Sequence, residues 1–272
     1  MNSRCFVAVI QLNSKEDKEL NLKTSLSFID EACLAGAKIV CLPEQFNFLG
    51  RDKLKIAAAE EIPGPTIVSL QKKAQEKSVW IHGGSVLEKG APGNKCWNTS
   101  VLINPDGEIA AKYRKIHLFD INIPGQVELM ESSTVCPGDT IVTADTEYGR
   151  IGFSICYDLR FAELYRLLTK KNIDLVVVPA AFTLHTGKDH WEVLLRARAV
   201  ENQIYVVAPA QVGEHPPGRF CYGNSMIVDP WGTVIARCSE RPGWAMAETD
   251  LAFIKETRSN LPCLEHIRLP IC

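Results

Sequence analysis

Twice in 272 residues the chain runs through the same succession of apolar and amphipathic stretches, and that repetition limits the folds open to it. In the first half, residues 6–12 and 38–42 read as strands. Between them lies a helical pattern with Leu22, Leu26, Ile29 and Cys33 on one face and Gly36 as its stop. Pro43 cuts off the second strand, and Glu44 stands just past its end. Gly64-Pro65 opens another helix, with Ile67, Leu70 and Ala74 inward, which leads to a strand at 79–82. A hairpin of 98–103 and 108–113 follows, turning at Asn104-Pro105-Asp106-Gly107. The second half predicts strands at 150–155, 174–178 and 205–208, helices at 161–168 and 190–203, and a hairpin of 222–228 and 233–237. Its turn, Asp229-Pro230-Trp231-Gly232, again carries Pro second and Gly fourth. No residue-level repeat accompanies this symmetry, which is one of architecture.

Each half is thus β-α-β-α-β plus a hairpin. Two mixed sheets bury most surface when they meet face to face with their helices outside. The expected fold class is therefore α/β, a four-layer α-β-β-α sandwich in a single domain over residues 1–272. Residues 251–259 read as a short helix. Residues 261–272, with Pro262 and Pro270 and no periodicity, read as a C-terminal arm, either reaching another subunit or loosely held.

A hydrophobic content of 46% is ample for one such core, and a net charge of −2 with interspersed signs offers no basic stripe for nucleic acid. The apolar stretch at residues 5–12 is too short for a signal peptide or a membrane span, so the expected location is cytoplasmic. Ten scattered cysteines with no C-x-x-C pair point to free thiols in a reducing compartment. No metal is expected, because His185 and His190 are five apart with no cysteine pair to complement them.

The chemistry centres on 150–161, R-I-G-F-S-I-C-Y-D-L-R-F. Ile151, Phe153 and Ile155 alternate as in a strand, while Phe161, Leu164, Tyr165 and Leu168 recur at helical spacing. That places Cys156 between a buried strand and a helix N-terminus, where free N–H groups favour thiolate and can receive an oxyanion. Glu44 and Lys115 also fall just past predicted strands, and in α/β folds sites form at such ends. Glu44 is then the candidate base for the thiol, with Lys115 and the N–H of Tyr157 as oxyanion donors. There is no G-x-S-x-G elbow, and no histidine is nominated as a partner for Cys156.

Three segments, L-P-E-Q-F at 42–46, Y-R-K-I-H-L-F-D at 113–120 and S-I-C-Y-D-L-R-F at 154–161, closely resemble the signature segments of the nitrilase superfamily of carbon–nitrogen hydrolases. The resemblance covers nearly the whole chain. It implies the α-β-β-α fold, no cofactor, a small-molecule amide substrate and a homodimer or higher oligomer paired through the helix after the nucleophile. By position it makes Glu44 the general base, Lys115 the oxyanion and orienting residue, and Cys156 the nucleophile. The family's second glutamate matches Glu131 better than Glu128. Residues 189–201 and 222–240 look most like the branch that hydrolyses deaminated glutathione to 2-oxoglutarate and cysteinylglycine. Omega-amidases acting on 2-oxoglutaramate share much of the same pattern. A nitrilase, or a binding protein that has kept the fold, are the remaining readings.

Residues that would read the substrate are less marked. Arg160, four after Cys156, is a candidate for a 2-oxo carboxylate, or else for an internal pair with Glu163. Phe182 and Thr186 are candidates to line the pocket. The Pro/Gly-rich stretch 211–220 is either a lid or a plain connector.

Overall fold

The computed structural model describes residues 4–124 and 127–269. Strand β1 (Arg4–Gln11) turns Val7 and Val9 to one face and Ala8 and Ile10 to the other, the two-residue period of a strand covered on both sides. It pairs in parallel with β2 (Ile39–Cys41), and β2 in parallel with β3 (Trp80–His82). Strands β4 (Val86–Ala91), β5 (Lys95–Ile103) and β6 (Ile109–Arg114) extend this sheet antiparallel, β5 pairing with all of β3, β4 and β6. Helices α1 (Lys18–Leu34) and α2 (Pro65–Lys77) cover its outer face: Ile29, Ala32, Ile67, Leu70 and Ala74 pack on Ala8, Ile10, Val40 and Ile81.

The second sheet runs in chain order: β7 (Thr143–Thr146), β8 (Gly149–Phe153), β9 (Leu175–Val177), β10 (Tyr205–Ala208), β11 (Met226–Val228) and β12 (Val234–Arg237). Its central pairings, β8 with β9 and β9 with β10, are parallel. Helices α3 (Ala162–Lys170) and α4 (Leu184–Asn202) pack on it through Leu164, Leu168, Trp191 and Leu195. Val7, Val9, Ile39 and Cys41 of the first sheet share one core with Ile151, Phe153, Leu175 and Val177 of the second. The face-to-face sandwich expected from the sequence is what forms.

Several details differ from the sequence reading. Residues 243–250, unassigned there, form β13 (Gly243–Asp250), which pairs antiparallel with all of β1, from Arg4↔Asp250 to Gln11↔Gly243. The C-terminal half thus supplies an edge strand to the N-terminal sheet. It then enters α5 (Leu251–Asn260), capped by the Asp250 carboxylate on Ala252 N–H. Helix α4 begins at Leu184 rather than 190, because Gly187 is not a breaker. A Cβ there would lie 2.4 Å from the Tyr222 Cβ, so glycine permits a close approach. The inward face of α1 includes Asn21 and Ser25, with Leu22 and Leu26 only partly buried; the Asn21 amide is satisfied by Lys15 O and Asn47 O.

The stretch read as lid or connector is a hairpin, Val212–His215 paired with Arg219–Tyr222, so β11 starts only at Met226. A second small hairpin, Asp120–Ile123 with Val127–Met130, stands beside it over the site. Of the expected C-terminal arm, residues 270–272 lie outside the described residues. Leu264, Ile267 and Leu269 line a groove with Arg166, Thr169 and Lys170 of α3 in the same chain.

Candidate active site

Each of three loops at strand ends delivers one side chain to a common point. After β2, Pro43 ends the strand and Glu44 turns inward. The loop is held from behind by Ser85, whose N–H donates to Pro43 O (3.2 Å) and whose Oγ accepts from Gln45 N–H (3.0 Å). Gly84 makes this possible: its φ is +50°, and a Cβ would fall 2.0 Å from Pro43 O. After β6, Lys115 N–H donates to Asn98 O (2.9 Å) on β5 and its side chain runs inward, 2% exposed. After β8, the chain reaches Cys156 in the left-handed region, φ +48°, with its N–H on Pro179 O (2.9 Å).

The sequence reading put Cys156 at an α-helix N-terminus, and here the structure corrects it. Residues Cys156–Arg160 form a 3₁₀ turn, and α3 starts only at Ala162. The turn is fixed by Asp158, fully buried, whose carboxylate accepts from Tyr113 Oη (2.7 Å), His117 N–H (2.9 Å) and Ile155 N–H (2.8 Å) and meets His117 Nδ1 at 2.7 Å. Asp158 therefore ties the cysteine loop to the lysine loop. Arg198 secures the far end, donating from Nε and Nη2 to Leu159 O (3.1 and 2.9 Å).

At the centre, Lys115 Nζ lies 3.0 Å from Glu44 Oε1 and 2.8 Å from Glu131 Oε2. Asn98 Nδ2 bridges the same two carboxylates, donating to Glu44 (2.8 Å) and Glu131 (3.3 Å). Ala181 N–H donates to Glu44 Oε2 (2.8 Å), and Phe119 N–H to Glu131 Oε2 (2.7 Å). Burial opposes a charge on Lys115, but Glu131 and Glu44 outweigh it and hold the ammonium well above the usual lysine value. Glu131 is likewise opposed by burial and pulled below the usual carboxyl value by Lys115. Cys156 moves the other way. Burial and then the Glu44 charge push its thiol well above 9.0, only partly offset by Lys115, so the resting group is a thiol rather than the thiolate expected at a helix end.

Glu44, Lys115, Glu131 and Cys156 all line one cavity of about 700 Å³, including its open mouth. Cys156 also borders a smaller cavity with room for about one water, lined by Phe119, Tyr157, Ala181, Phe182, Thr183 and Thr186. The structure thus brings Phe182 and Thr186 next to the cysteine. Arg160 lines neither cavity: it lies behind the smaller one, its guanidinium 5.0 Å from the Phe182 ring and 5.8 Å from Tyr157, with Nη1 3.2 Å from His190 Nδ1. Glu163 is not its partner. Among the described residues, Tyr157 N–H meets no protein acceptor.

Sequence reasoning missed Asn98, Asp158, His215 and the pair Asp52 and Arg219. In β5, K-C-W-N-T-S-V-L-I, Asn98 is followed by two further polar residues and carries no sequence signal of its own; its burial appears only in the fold. Among the described residues no group of three or more His, Cys, Asp and Glu side chains is placed to hold a metal ion, and no helix is long and apolar enough to cross a membrane.

Comparison with known proteins agrees with this geometry. The carbon–nitrogen hydrolase family model matches residues 6–259. A deaminated glutathione amidase of Synechocystis sp. is 44% identical over 95% of this chain and 96% of its own. The human protein of that name is 43% identical over 96% of this chain and 82% of its own. Human omega-amidase NIT2 is 42% identical, covering 96% of this chain and 94% of its own. Among solved structures, the Caenorhabditis elegans NitFhit protein superposes with a TM-score of 0.94 at 41% identity, over 99% of this chain and 67% of that one. Saccharomyces cerevisiae Nit3, described as a member of branch 10 of the nitrilase superfamily, gives 0.87 at 34%, over 96% and 95%. With this coverage and these loops, the chain belongs to the carbon–nitrogen hydrolase family.

Proposed function

We propose that the protein is an amidase that hydrolyses deaminated glutathione to 2-oxoglutarate and cysteinylglycine through a thioester on Cys156. The observation that carries this reading is the convergence of Cys156, Glu44, Lys115 and Glu131 on one open cavity that extends past them to Asp52, Lys55, His215 and Arg219 and so leaves room for more than the amide itself.

Glu44 takes the proton of the Cys156 thiol as sulfur attacks the amide carbon. A raised thiol is suited to this, because the proton leaves only as the new bond forms and a base stands ready. Two protons of the Lys115 ammonium are engaged by Glu44 and Glu131, which leaves the third for the oxyanion together with Tyr157 N–H. Collapse of the tetrahedral adduct breaks the C–N bond, and Glu44 returns its proton to the departing amine. Water, deprotonated by the same carboxylate, then attacks the thioester; the acid product leaves and the proton returns to sulfur. Glu131 fixes the Lys115 ammonium. Phe182 and Thr186 stand beside Cys156, where the acyl group forms. The protein works without a cofactor as a cytoplasmic homodimer or higher oligomer.

A second reading, omega-amidase, is favoured by the likeness to NIT2. The ratio of kcat/KM for deaminated glutathione to that for free 2-oxoglutaramate separates the two. A value well above one supports the proposal, and a value well below one assigns the protein to the omega-amidases.

A further inference from the structure

The larger cavity has an acidic floor and a basic rim. On the floor, Glu44 and Glu131 exceed Lys115 by one charge. At the rim, Asp52 is shared by Lys55, 2.9 Å away, and by Arg219, whose Nη1 and Nη2 donate to its two oxygens at 3.2 and 2.6 Å. Two cations on one carboxylate leave a unit positive charge. Lys55 is only 6% exposed, and its Nζ has one carboxylate partner for three donors. Glu131, across the cavity, lies within range of this ammonium but does not contact it, so Lys55 keeps donors free for an anion that enters between them.

The hairpin that carries Arg219 also carries His215, 2% exposed and lining the same cavity. Its Nδ1 faces Ser14 O at 2.7 Å, so that nitrogen holds the proton. Nε2 is then an acceptor, and it is buried with no partner among the described residues. An anion receiver and an unfilled acceptor for N–H therefore stand together on the leaving-group side of Cys156. A dipeptide with a free carboxylate presents both complements.

We propose that Lys55 and Arg219 receive the terminal carboxylate of the leaving dipeptide, with His215 Nε2 accepting its peptide N–H, and that this rim selects substrates with an anionic leaving group. The inference rests on the amidase reading above and names the recognition that reading leaves open.

The test compares deaminated glutathione with its glycinamide analogue, in which the terminal carboxylate alone is replaced by a carboxamide. Both substrates share the scissile bond, so any change in the chemistry cancels in the ratio of their kcat/KM values. A charge-assisted contact of this kind predicts that wild type prefers the acid by about 10- to 100-fold. Lys55→Met and Arg219→Gln should each bring that ratio close to one. Lys55→Met leaves the Arg219–Asp52 tie intact, so a folding defect in Arg219→Gln does not void the test. A wild-type ratio near one, or a Lys55→Met ratio equal to that of wild type, overturns the proposal while leaving the amidase reading in place. Failure of wild type to hydrolyse either dipeptide substrate while it hydrolyses 2-oxoglutaramate overturns both.

Discussion

Lys115 is held between two carboxylates and is almost wholly buried, and its ammonium is the pivot of the arrangement. Lys115→Ala removes an oxyanion donor and strands Glu44 and Glu131 together, so kcat should fall by roughly 100- to 1,000-fold. A loss under tenfold would remove Lys115 from the reacting centre. Glu131→Gln should slow the chemical step through Lys115 and leave the enzyme folded. The raised Cys156 thiol makes a separate prediction. Cys33, Cys136 and Cys263 are more accessible than the buried Cys156, so iodoacetamide should label those three first at neutral pH. Because a raised thiol ionises only at higher pH, alkylation of Cys156 should keep climbing through pH 9.0. A rate that levels off below neutrality would show a thiolate in the resting enzyme. At this scale Glu44, Lys115, Glu131 and Cys156 were all legible, because each falls next to a strand end or within a recognisable segment. Asn98 and Asp158 were not, because a buried polar side chain declares its partners only when distant strands are brought together.

The elements matter here through what their ends are tied to. Asp158 joins the loop after β6 to the loop after β8 with no secondary structure between them. Asp158→Ala would leave buried donors unpaired and should cost about 2–5 kcal/mol of stability. A thermal midpoint equal to that of wild type would contradict the clamp. Gly187→Ala should also destabilise, since the new methyl group meets Tyr222 and must push the hairpin away from α4. That hairpin is further held by Arg219 on Asp52. Burial opposes the Asp52 charge, but Arg219 and Lys55 outweigh it and pull the carboxyl down to about 2. The tie is therefore complete above the ordinary value of 3.8 and lost as pH falls toward about 2, which hydrogen exchange of residues 212–222 would follow. Helix α4 and this hairpin were the elements least legible in sequence. Gly187 and the Pro/Gly-rich turn look like punctuation, and only the contact with Tyr222 shows that the glycine is there for packing.

Across the whole molecule the two halves do not fold side by side as separate units. β13 from the second half pairs along all of β1, and the inner faces of both sheets form one core. The sequence symmetry pointed to the sandwich correctly, since alternating strands with apolar faces on both sides have few other ways to bury them. It was silent on β13, whose residues are mostly half-exposed and alternate too weakly to stand out. The shared core also places the three loops. Glu44 and Lys115 belong to the first sheet and Cys156 to the second, so the site exists only where the sheets meet. Acid-quenching the enzyme during turnover of deaminated glutathione and mapping the adduct by peptide mass spectrometry shows whether Cys156 forms the acyl-enzyme at this junction. The expected result is a 2-oxoglutaryl thioester on the peptide carrying Cys156, absent in Cys156→Ala along with turnover. An adduct on Cys221, which lines the same cavity, or turnover surviving in Cys156→Ala, would contradict it.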